Sequence, residues 1–349
     1  MSSPGSKVTL RFGMIGASGH FGGALNVIAR HPQLSLAAVA LAHPSERLER
    51  VRSHPAFTAE TRVVSSPEEL LDDGSLAGVV INPPYGMNAR YAIAAVRRGI
   101  AVYVEKPYAT RLDELEELRR AASEHKTPLT GMLELRAHPV IATAARLVRG
   151  GAIGAPTLAY GQKTYKFDPA TRPPWYADEA LYGGTIPWVA IHAIDWTRFI
   201  TGCEYTAVTG VQSSFGAGPL ATAEKAGGLL FELTGGGAAL ISFDYLRPAA
   251  AATHGDDRFR IIGTEGELWG SVQRNELRLL DRSGERLIEL DPTETIFERF
   301  VGSLLDPGRP TPVTAEDGIA STEAALWARQ AARLRARVVI PQSRPLETP

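Results

Sequence analysis

The sequence lacks the features that direct a chain to a metal, a nucleic acid or a membrane. Its single cysteine, Cys203, excludes an internal disulfide, and no Cys/His metal-ligand spacing occurs. The 37 basic and 38 acidic residues give a net charge of −1, which leaves no basic surplus for phosphate backbones. No apolar run reaches 18 residues, and MSSPGSKVTL has no signal-peptide pattern. We therefore expect a cytoplasmic protein with no metal, nucleic-acid or membrane partner.

Strand and helix patterns alternate over residues 1–136. The apolar run Val8–Ile15 is followed by a Gly-rich turn, a helix and a second strand, which together make a βαβ unit. Continuous apolar runs such as AGVVIN are typical of strands buried on both faces. The strands are predicted at 8–15, 34–41, 77–82, 101–105 and 129–135. The fold class is therefore α/β, with a Rossmann-type parallel sheet in a first domain that spans these residues.

Residues 137–349 have a different pattern, in which strand-like runs follow one another with few helices between them. Turns containing glycine join these runs, which is typical of an open, mostly antiparallel sheet. We therefore predict an α+β domain over these residues. A long helix over 314–337, with Thr314 as its N-cap, closes the chain and is expected to pack back towards the first domain.

The stretch GASGHFGG contains Gly16, Gly19 and Gly22 between the first strand and its helix. Glycines at this turn let the backbone approach a pyrophosphate, and the helix dipole favours the anion. The spacing is one residue longer than G-x-G-x-x-G, and a tight structural turn is the alternative. Its position at the first βα turn of a parallel pattern favours the dinucleotide site.

The end of the second strand bears on the choice of cofactor. An NAD site usually has an acidic residue there for the ribose 2′-hydroxyl, but no Asp or Glu ends this strand. His43, Ser45 and Arg47 follow instead, and Arg47 can neutralise a 2′-phosphate. We therefore favour NADP slightly over NAD, although these residues are equally compatible with an exposed loop.

The triplet Glu105-Lys106-Pro107 follows a buried strand, at the edge where open α/β sheets bind ligands. Together with VVINPPYGMNARYAIAAVRRGIAVYVEKPYAT, GGTIPWVAIHAID and IIGTEGELW, it resembles the glucose–fructose oxidoreductase, inositol dehydrogenase and MocA (Gfo/Idh/MocA) family over nearly the whole chain. The EKP step is the most specific part of this resemblance.

The resemblance implies that Lys106 lies beside the nicotinamide and acts as catalytic base or as donor to the substrate oxygen. A partly desolvated lysine next to a cationic ring should have a lowered pKa. Glu105 would orient the lysine, help bind the cofactor or serve the structure alone. The other cofactor-binding residues implied are Gly16, Ser18, Gly19, His20, Phe21, Asn82, Pro83, Pro84 and Asn88.

The family's second motif, typically D-x-G-x-H-x-x-D, departs from its usual form here. His192 and Asp195 are present, but Trp188 stands where the first Asp is expected, four residues before the histidine and on the same helix face. We predict that His192 hydrogen-bonds the reacting oxygen and relays a proton. Asp195 either orients His192 or packs at the helix base.

Aromatic residues near this motif suit a carbohydrate, whose C–H faces stack on rings. The substrate-binding residues are predicted to be Lys106, Tyr165, Trp175, Tyr176, Trp188 and His192, although the aromatic ones are also compatible with a core role. Lys163, Tyr165, Asp168, Tyr176 and Asp178 are the candidates to replace the missing carboxylate.

The resemblance implies an NAD(P)-dependent oxidoreductase that acts on a sugar, cyclitol or related polyol. Two alternatives remain: a redox-neutral glycoside lyase or hydrolase that uses transient oxidation by bound NAD(H), and a non-catalytic dinucleotide-dependent sensor. The resemblance also implies that residues 137–349 form the substrate-binding and oligomerisation domain. The family's open C-terminal sheet commonly pairs with another subunit, so a homodimer or homotetramer is expected.

Overall fold

The computed structural model describes residues 9–342 except 219, 222, 307 and 312, so the predicted first residue of the first strand, Val8, lies outside the described part. Two compact units are present. Unit 1 runs to Met132 and also includes Phe297–Ala315, a segment that the sequence-based division placed in the second domain. Unit 2 contains Leu133–Ile296 and the chain from Glu316 onwards.

Unit 1 is built on a six-stranded parallel sheet with the order β3-β2-β1-β4-β5-β6. Its central strands are buried on both faces, and Val79, Val80 and Ile81 have no exposed surface. This confirms the predicted Rossmann-type sheet. The strands are β1 Leu10–Ile15, β2 Leu34–Ala40, β3 Arg62–Val63, β4 Gly78–Ile81, β5 Ala101–Val104 and β6 Leu129–Gly131.

The helices of unit 1 connect these strands. Short ones such as that after Ser66, whose hydroxyl accepts the Glu69 N–H, were not predicted because they span barely one turn. The predicted strand over 129–135 is too long, since pairing ends at Gly131 and a 3₁₀ turn follows over Glu134–Ala137. The helices are α1 Gly22–Arg30, α2 Glu49–Arg52, α3 Pro67–Leu71, α4 Asn88–Val96 and α5 Leu112–His125.

The segment that returns to unit 1 carries helix α9, Ile296–Leu305. The ring of Phe297 lies 5.4 Å from that of Phe12 and 4.9 Å from that of Tyr103. Phe300 stacks on the same tyrosine at 5.7 Å. These aromatic pairs bury apolar area against β1 and β5, which explains why a segment so late in the chain belongs to this core.

Unit 2 contains a nine-stranded sheet with the order β14-β13-β12-β11-β7-β10-β9-β8-β15. Only the β7–β10 pair is parallel among these pairings of described strands, which confirms the mostly antiparallel sheet. The strands are β7 Pro156–Thr164, β8 Tyr205–Ser214, β9 Glu224–Leu233, β10 Ala238–Asp244, β11 Arg258–Gly263, β12 Glu267–Ser271, β13 Glu276–Asp281, β14 Gly284–Leu287 and β15 Val338–Val339.

One face of this sheet is covered by helices. Gly161 on β7 lets helix α8 approach closely, since a Cβ there would lie 3.3 Å from Thr197 Oγ1. The helices of the unit are α6 Pro139–Arg149, α7 Glu179–Tyr182, α8 Ile191–Thr201 and α10 Ala315–Leu334, whose first residue groups with unit 1. Within the described part of the chain, none of the helices could span a membrane.

Candidate active site

The glycine loop of unit 1 packs directly on the turn after β4. Gly16 has φ +80°, and a Cβ there would lie 2.4 Å from the backbone nitrogen of Pro83. The N–H groups of Ser18 and Gly19 donate to the carbonyl oxygen of Asn82 at 2.8 and 3.3 Å. Only glycine fits at Gly16, because the position combines a left-handed backbone with a backbone contact.

A buried carboxylate that the sequence analysis missed closes the same loop. Glu46 is 6% exposed, and its Oε1 accepts the Ala17 N–H and the Ser18 hydroxyl, both at 2.7 Å. Its Oε2 accepts the N–H groups of Ala42 and His43 at 2.8 and 3.2 Å. The four acceptor positions of the carboxylate are thus filled by the protein. The residue was overlooked because it follows the last strand residue, Ala40, by six positions and reaches back to the strand end.

Glu105 holds the other side of the loop. The residue has no exposed surface, and its Oε2 accepts the His20 N–H at 2.7 Å and lies 2.9 Å from His20 Nδ1. Its Oε1 accepts the N–H of Lys106 at 2.9 Å. Burial by itself raises the pKa of this carboxyl, but the charge and hydrogen bonds of His20 and the charge of Lys106 bring the pKa below its ordinary value.

Lys106 lies in a turn that is fixed on both sides. The residue is 2% exposed and precedes the cis-proline Pro107. Asn88, which has no exposed surface, donates its Nδ2 to the carbonyl oxygens of Glu105 at 2.9 Å and Pro107 at 2.8 Å. Asn88 therefore holds the backbone of the lysine turn, a role that the prediction of a cofactor contact did not include.

The residues around the loop fit a dinucleotide. A Cβ at Gly22 or Gly23, in the first turn of α1, would meet nothing within 4 Å, so the backbone there is open to a ligand. The first N–H groups of a helix have no intrahelical partner and favour an anion. The Asn82 side chain is fully buried beside Gly19, and its amide oxygen and nitrogen have no hydrogen-bond partner in the described chain.

Polar and cationic side chains surround the far side of the loop. His43 Nδ1 lies 2.8 Å from the hydroxyl of Ser45, and Arg47 is exposed. Arg50 donates to the carbonyl oxygen of Ala17 at 2.6 Å, and its guanidinium lies 5.1 Å from the ring centroid of Phe21. These residues provide positive charge next to the buried carboxylate of Glu46.

In unit 2, the predicted histidine lies at the start of α8, directly after an irregular turn. Ile186–Ala190 forms a π-helical turn, a feature that is frequent at functional sites. Trp188 in this turn is 7% exposed, and His192 in the first turn of α8 is 8% exposed. The prediction of one shared helix face assumed α-helical spacing, which does not hold across a π-helical turn.

Asp195 is part of a buried ion-pair network. Its oxygens accept from Arg136 Nε at 2.9 Å and Nη2 at 2.7 Å, and from the Ser321 hydroxyl at 2.7 Å. Arg136 also pairs with Asp317 at 3.1 Å. Burial lowers the pKa of Arg136, but Asp195 and Asp317 together raise it above its ordinary value. Of the two roles considered for Asp195, this geometry supports packing at the helix base.

Two of the predicted sugar-stacking residues, Trp175 and Tyr176, belong to an aromatic cluster of unit 2. The rings of Trp175 and Tyr176 lie 4.5 Å apart, and Tyr176 stacks on Tyr182 at 4.6 Å. Trp175 and Tyr176 are 4% and 5% exposed. The Tyr182 hydroxyl lies 3.2 Å from that of Tyr245, and burial raises the pKa of both phenols. Contact of these rings with a substrate remains a prediction.

Tyr165 lies beside a buried ion pair. Lys163 Nζ lies 2.6 Å from Asp257 Oδ2, and both side chains are at most 2% exposed. The same ammonium lies 4.3 Å from the Tyr165 ring and 5.7 Å from the Trp196 ring. Trp196 follows His192 by four residues on α8, so this pair is on the histidine side of the helix. No cluster of potential metal ligands occurs among the described residues of the chain.

Two family models match the chain over most of its length. The model described as an oxidoreductase family with an NAD-binding Rossmann fold matches residues 10–131, and the GFO/IDH/MocA C-terminal domain matches residues 141–269. The chain is a member of the Gfo/Idh/MocA oxidoreductase family. This confirms the predicted family and enzyme class.

Relatives of this Gfo/Idh/MocA protein support the same class. It is 25% identical to the 1,5-anhydro-D-fructose reductase of Ensifer adhaerens, over 82% of this chain and 87% of that protein. It is 28% identical to the NAD⁺-dependent scyllo-inositol 2-dehydrogenase of Bacillus subtilis, over 66% of each. A solved structure of a candidate oxidoreductase from Thermotoga maritima is 34% identical, with a TM-score of 0.87, and the match covers 95% of this chain and 100% of that one.

Proposed function

We propose that this member of the family is an NAD(P)-dependent dehydrogenase or reductase that acts on a hydroxyl or carbonyl carbon of a sugar, cyclitol or related polyol. The observation that carries the proposal is the fixed lysine turn, in which Lys106 is buried and Asn88 bonds the carbonyls on both sides of it. Reductases and dehydrogenases of anhydrofructose and scyllo-inositol among the relatives support the substrate class.

The bound dinucleotide supplies a nicotinamide carbon that takes up or gives a hydride. The chain's own part is to hold the substrate and manage the accompanying proton. In our proposal, Lys106 exchanges the proton of the reacting oxygen, and His192 hydrogen-bonds that oxygen. Asn88 and Glu105 act as positioning residues, because both bond to the backbone of the lysine turn.

The preference for NADP over NAD extends the proposal. The carboxylate of Glu46 already accepts four hydrogen bonds, so it offers no acceptor position to the ribose hydroxyls of NAD. Arg47 is exposed nearby, with Ser45 and His43, and can neutralise a 2′-phosphate. Titration with both dinucleotides tests the preference, and NAD binding that is clearly tighter than NADP binding contradicts it.

We further propose that the protein is a homo-oligomer that pairs through the uncovered face of the unit 2 sheet. Large apolar side chains face outward there, among them Val211, Leu230 and Leu240, which are 63%, 46% and 40% exposed. They border a groove of about 730 Å³. An apolar patch of this kind is typical of an interface. Light scattering should give a dimer or tetramer for the protein and a monomer for Leu230→Asp/Leu240→Asp, and a monomeric wild type contradicts the proposal.

A cytoplasmic location belongs to the same proposal, since the one cysteine, Cys203, is free and the cofactor is an intracellular dinucleotide. The experiment that tests the function is a screen of the purified protein against sugars and cyclitols with each cofactor, read at the reduced-nicotinamide absorbance band. Stoichiometric formation of reduced cofactor and ketone supports the dehydrogenase. Substrate conversion without net reduced cofactor would instead identify the redox-neutral reaction.

A further inference from the structure

The loop after β7 contains two cations for which the described residues of the chain supply no carboxylate partner. Lys166 and Arg172 are both half-buried, and in the described chain neither forms an ion pair. The Lys166 ammonium donates to the carbonyl oxygen of Ala251. A partly desolvated cation without a counter-charge is unfavourable, because burial removes water that the protein has not replaced.

Arg172 lies on an aromatic surface. Its guanidinium carbon is 4.5 Å from the ring centroid of Phe167 and 5.6 Å from that of Tyr176. Its Nε is shielded from solvent and has no hydrogen-bond partner in the described chain. The two rings hold the guanidinium in place and leave its N–H groups for an acceptor, which is the arrangement that suits a carboxylate or phosphate.

The neighbouring carboxylates are already committed to other groups. Asp257 pairs with Lys163 at 2.6 Å, and Asp256 pairs with Arg258 at 2.7 Å and Arg247 at 3.4 Å. Asp168 caps a 3₁₀ turn by accepting the Ala170 N–H, and Asp244 accepts from Thr164 and Leu246. None of these oxygens neutralises Arg172 or Lys166.

Many arginines elsewhere in unit 2 pair with carboxylates, whether the arginine is buried or exposed. Those with a partner include Arg136, Arg146, Arg198, Arg260, Arg278, Arg286, Arg333 and Arg337. Within the described chain, the half-buried Arg172 therefore differs from these arginines in having no carboxylate partner. This difference is not explained by a shortage of acidic residues in the unit.

The two cations are close to His254 and to the histidine side of α8. The Lys166 N–H donates to the carbonyl oxygen of His254 at 2.9 Å, and the His254 ring lies 4.9 Å from Tyr165. Burial lowers the pKa of His254, and the positive charges of Arg172, Lys163 and Lys166 lower it further. Lys163 in turn lies near Trp196, so the cluster continues to the helix that carries His192.

We propose that Arg172 and Lys166, with His254 beside them, bind the negatively charged group of the substrate, so that the substrate is a sugar acid or a sugar phosphate. This inference rests on the proposed dehydrogenase function. A carboxylate and a phosphate each present two neighbouring anionic oxygens, and a guanidinium can bind both oxygens with two parallel N–H groups.

The test compares matched charged and neutral probes: D-gluconate, D-galacturonate and D-glucose 6-phosphate against D-glucose and myo-inositol. Each is measured for binding by isothermal titration and for turnover by reduced-nicotinamide absorbance. At least one charged probe should bind tenfold or more tightly than the neutral ones. Tighter binding of the sugar acids would identify a carboxylate as the bound group, and tighter binding of D-glucose 6-phosphate would identify a phosphate.

Variants assign the effect to the loop. Arg172→Gln and Lys166→Gln should each weaken binding of the charged probe by about tenfold or more and leave the neutral probes unchanged. Arg172→Lys keeps the positive charge and should retain part of the affinity for the charged probe. Retained affinity would show that the loss in Arg172→Gln comes from the missing charge and not from misfolding. Arg282→Gln, an exposed arginine in the β13–β14 turn, is the matched control.

The outcomes separate the two proposals. Turnover of a neutral polyol with no advantage for any charged probe, or charged-probe binding that Arg172→Gln leaves intact, overturns the inference and leaves the dehydrogenase in place. Absence of charged-probe binding at millimolar concentration also overturns it. Binding of a charged probe that Arg172→Gln abolishes, without reduced cofactor from any probe, supports the anion site and contradicts the proposed function.

Discussion

The buried carboxylate of Glu105 joins the glycine loop to the lysine turn, with 2.9 Å between its Oε2 and the Nδ1 of His20. The same carboxylate accepts the N–H of Lys106 through its other oxygen. One side chain therefore bonds both to the glycine loop and to the backbone of the lysine. We therefore expect Glu105 to affect both the stability of unit 1 and the position of the Lys106 backbone.

Replacing Glu105 with Gln should lower the free energy of unfolding by about 2 kcal/mol near neutral pH, because buried hydrogen bonds to a charged group are lost. The pKa of Glu105 is lowered in the folded protein, so its contribution is complete above the ordinary glutamate pKa of 4.5 and declines as pH falls through the folded value. Urea unfolding over a pH series should show the wild-type advantage shrinking below pH 4.5. Glu117→Gln, on an exposed face, is the control, and a pH-independent difference contradicts the prediction.

Two glycines in one loop should respond differently to alanine. Gly16→Ala should destabilise unit 1 strongly, since the new Cβ would lie 2.4 Å from Pro83 N at φ +80°. Gly22→Ala has open space and should leave the midpoint of thermal unfolding unchanged or slightly raised. It should nevertheless weaken dinucleotide binding, because the side chain would occupy space that the phosphate approaches. Equal dinucleotide affinity for Gly22→Ala and wild type would show that the phosphate lies elsewhere.

The sequence predicts the parts of this fold that depend on short-range patterns. Apolar runs such as that over β4 identify the parallel strands, because a strand buried on both faces must be apolar throughout. The glycine turn is visible for a similar local reason, since Gly16 needs a backbone that other residues rarely adopt. The family motif adds His192 and Lys106.

Contacts between distant residues were not predictable in the same way. The Phe297–Phe12 pair assigns α9 to unit 1. The sequence around Phe297, however, does not indicate whether this helix packs on the core of unit 1 or on the core of unit 2. Glu46 reaches Ala17 across 29 residues, and Asp195 meets Arg136 across 59. One sequence contains the residue types for such pairs but not their partners.

The Asp195–Arg136 pair predicts a structural and not a catalytic effect. Asp195→Leu should lower the free energy of unfolding by about 3 kcal/mol, because the buried guanidinium of Arg136 loses one of its two carboxylate partners and keeps only Asp317. The double variant Arg136→Met/Asp195→Leu should recover much of the loss. Urea unfolding measures both, and Arg286→Met, which breaks an exposed pair, should leave the midpoint unchanged. A stable Asp195→Leu protein whose only defect is in turnover would assign Asp195 to the chemistry instead.

Lys106 and His192 should behave as one functional unit if both serve the reacting oxygen. Lys106→Ala should lower kcat by about 10²- to 10⁴-fold, the usual contribution of a general acid–base group, and leave dinucleotide binding intact. His192→Asn should lower kcat by a smaller factor. Because groups acting on the same proton are not independent, the double variant should lose less than the product of the two single effects. Lys225→Ala, at a half-buried lysine of strand β9 to which no role in the site is assigned, is the matched lysine control. Exactly multiplicative losses, or a Lys106→Ala protein with unchanged kcat, would show that the two residues do not share a substrate atom.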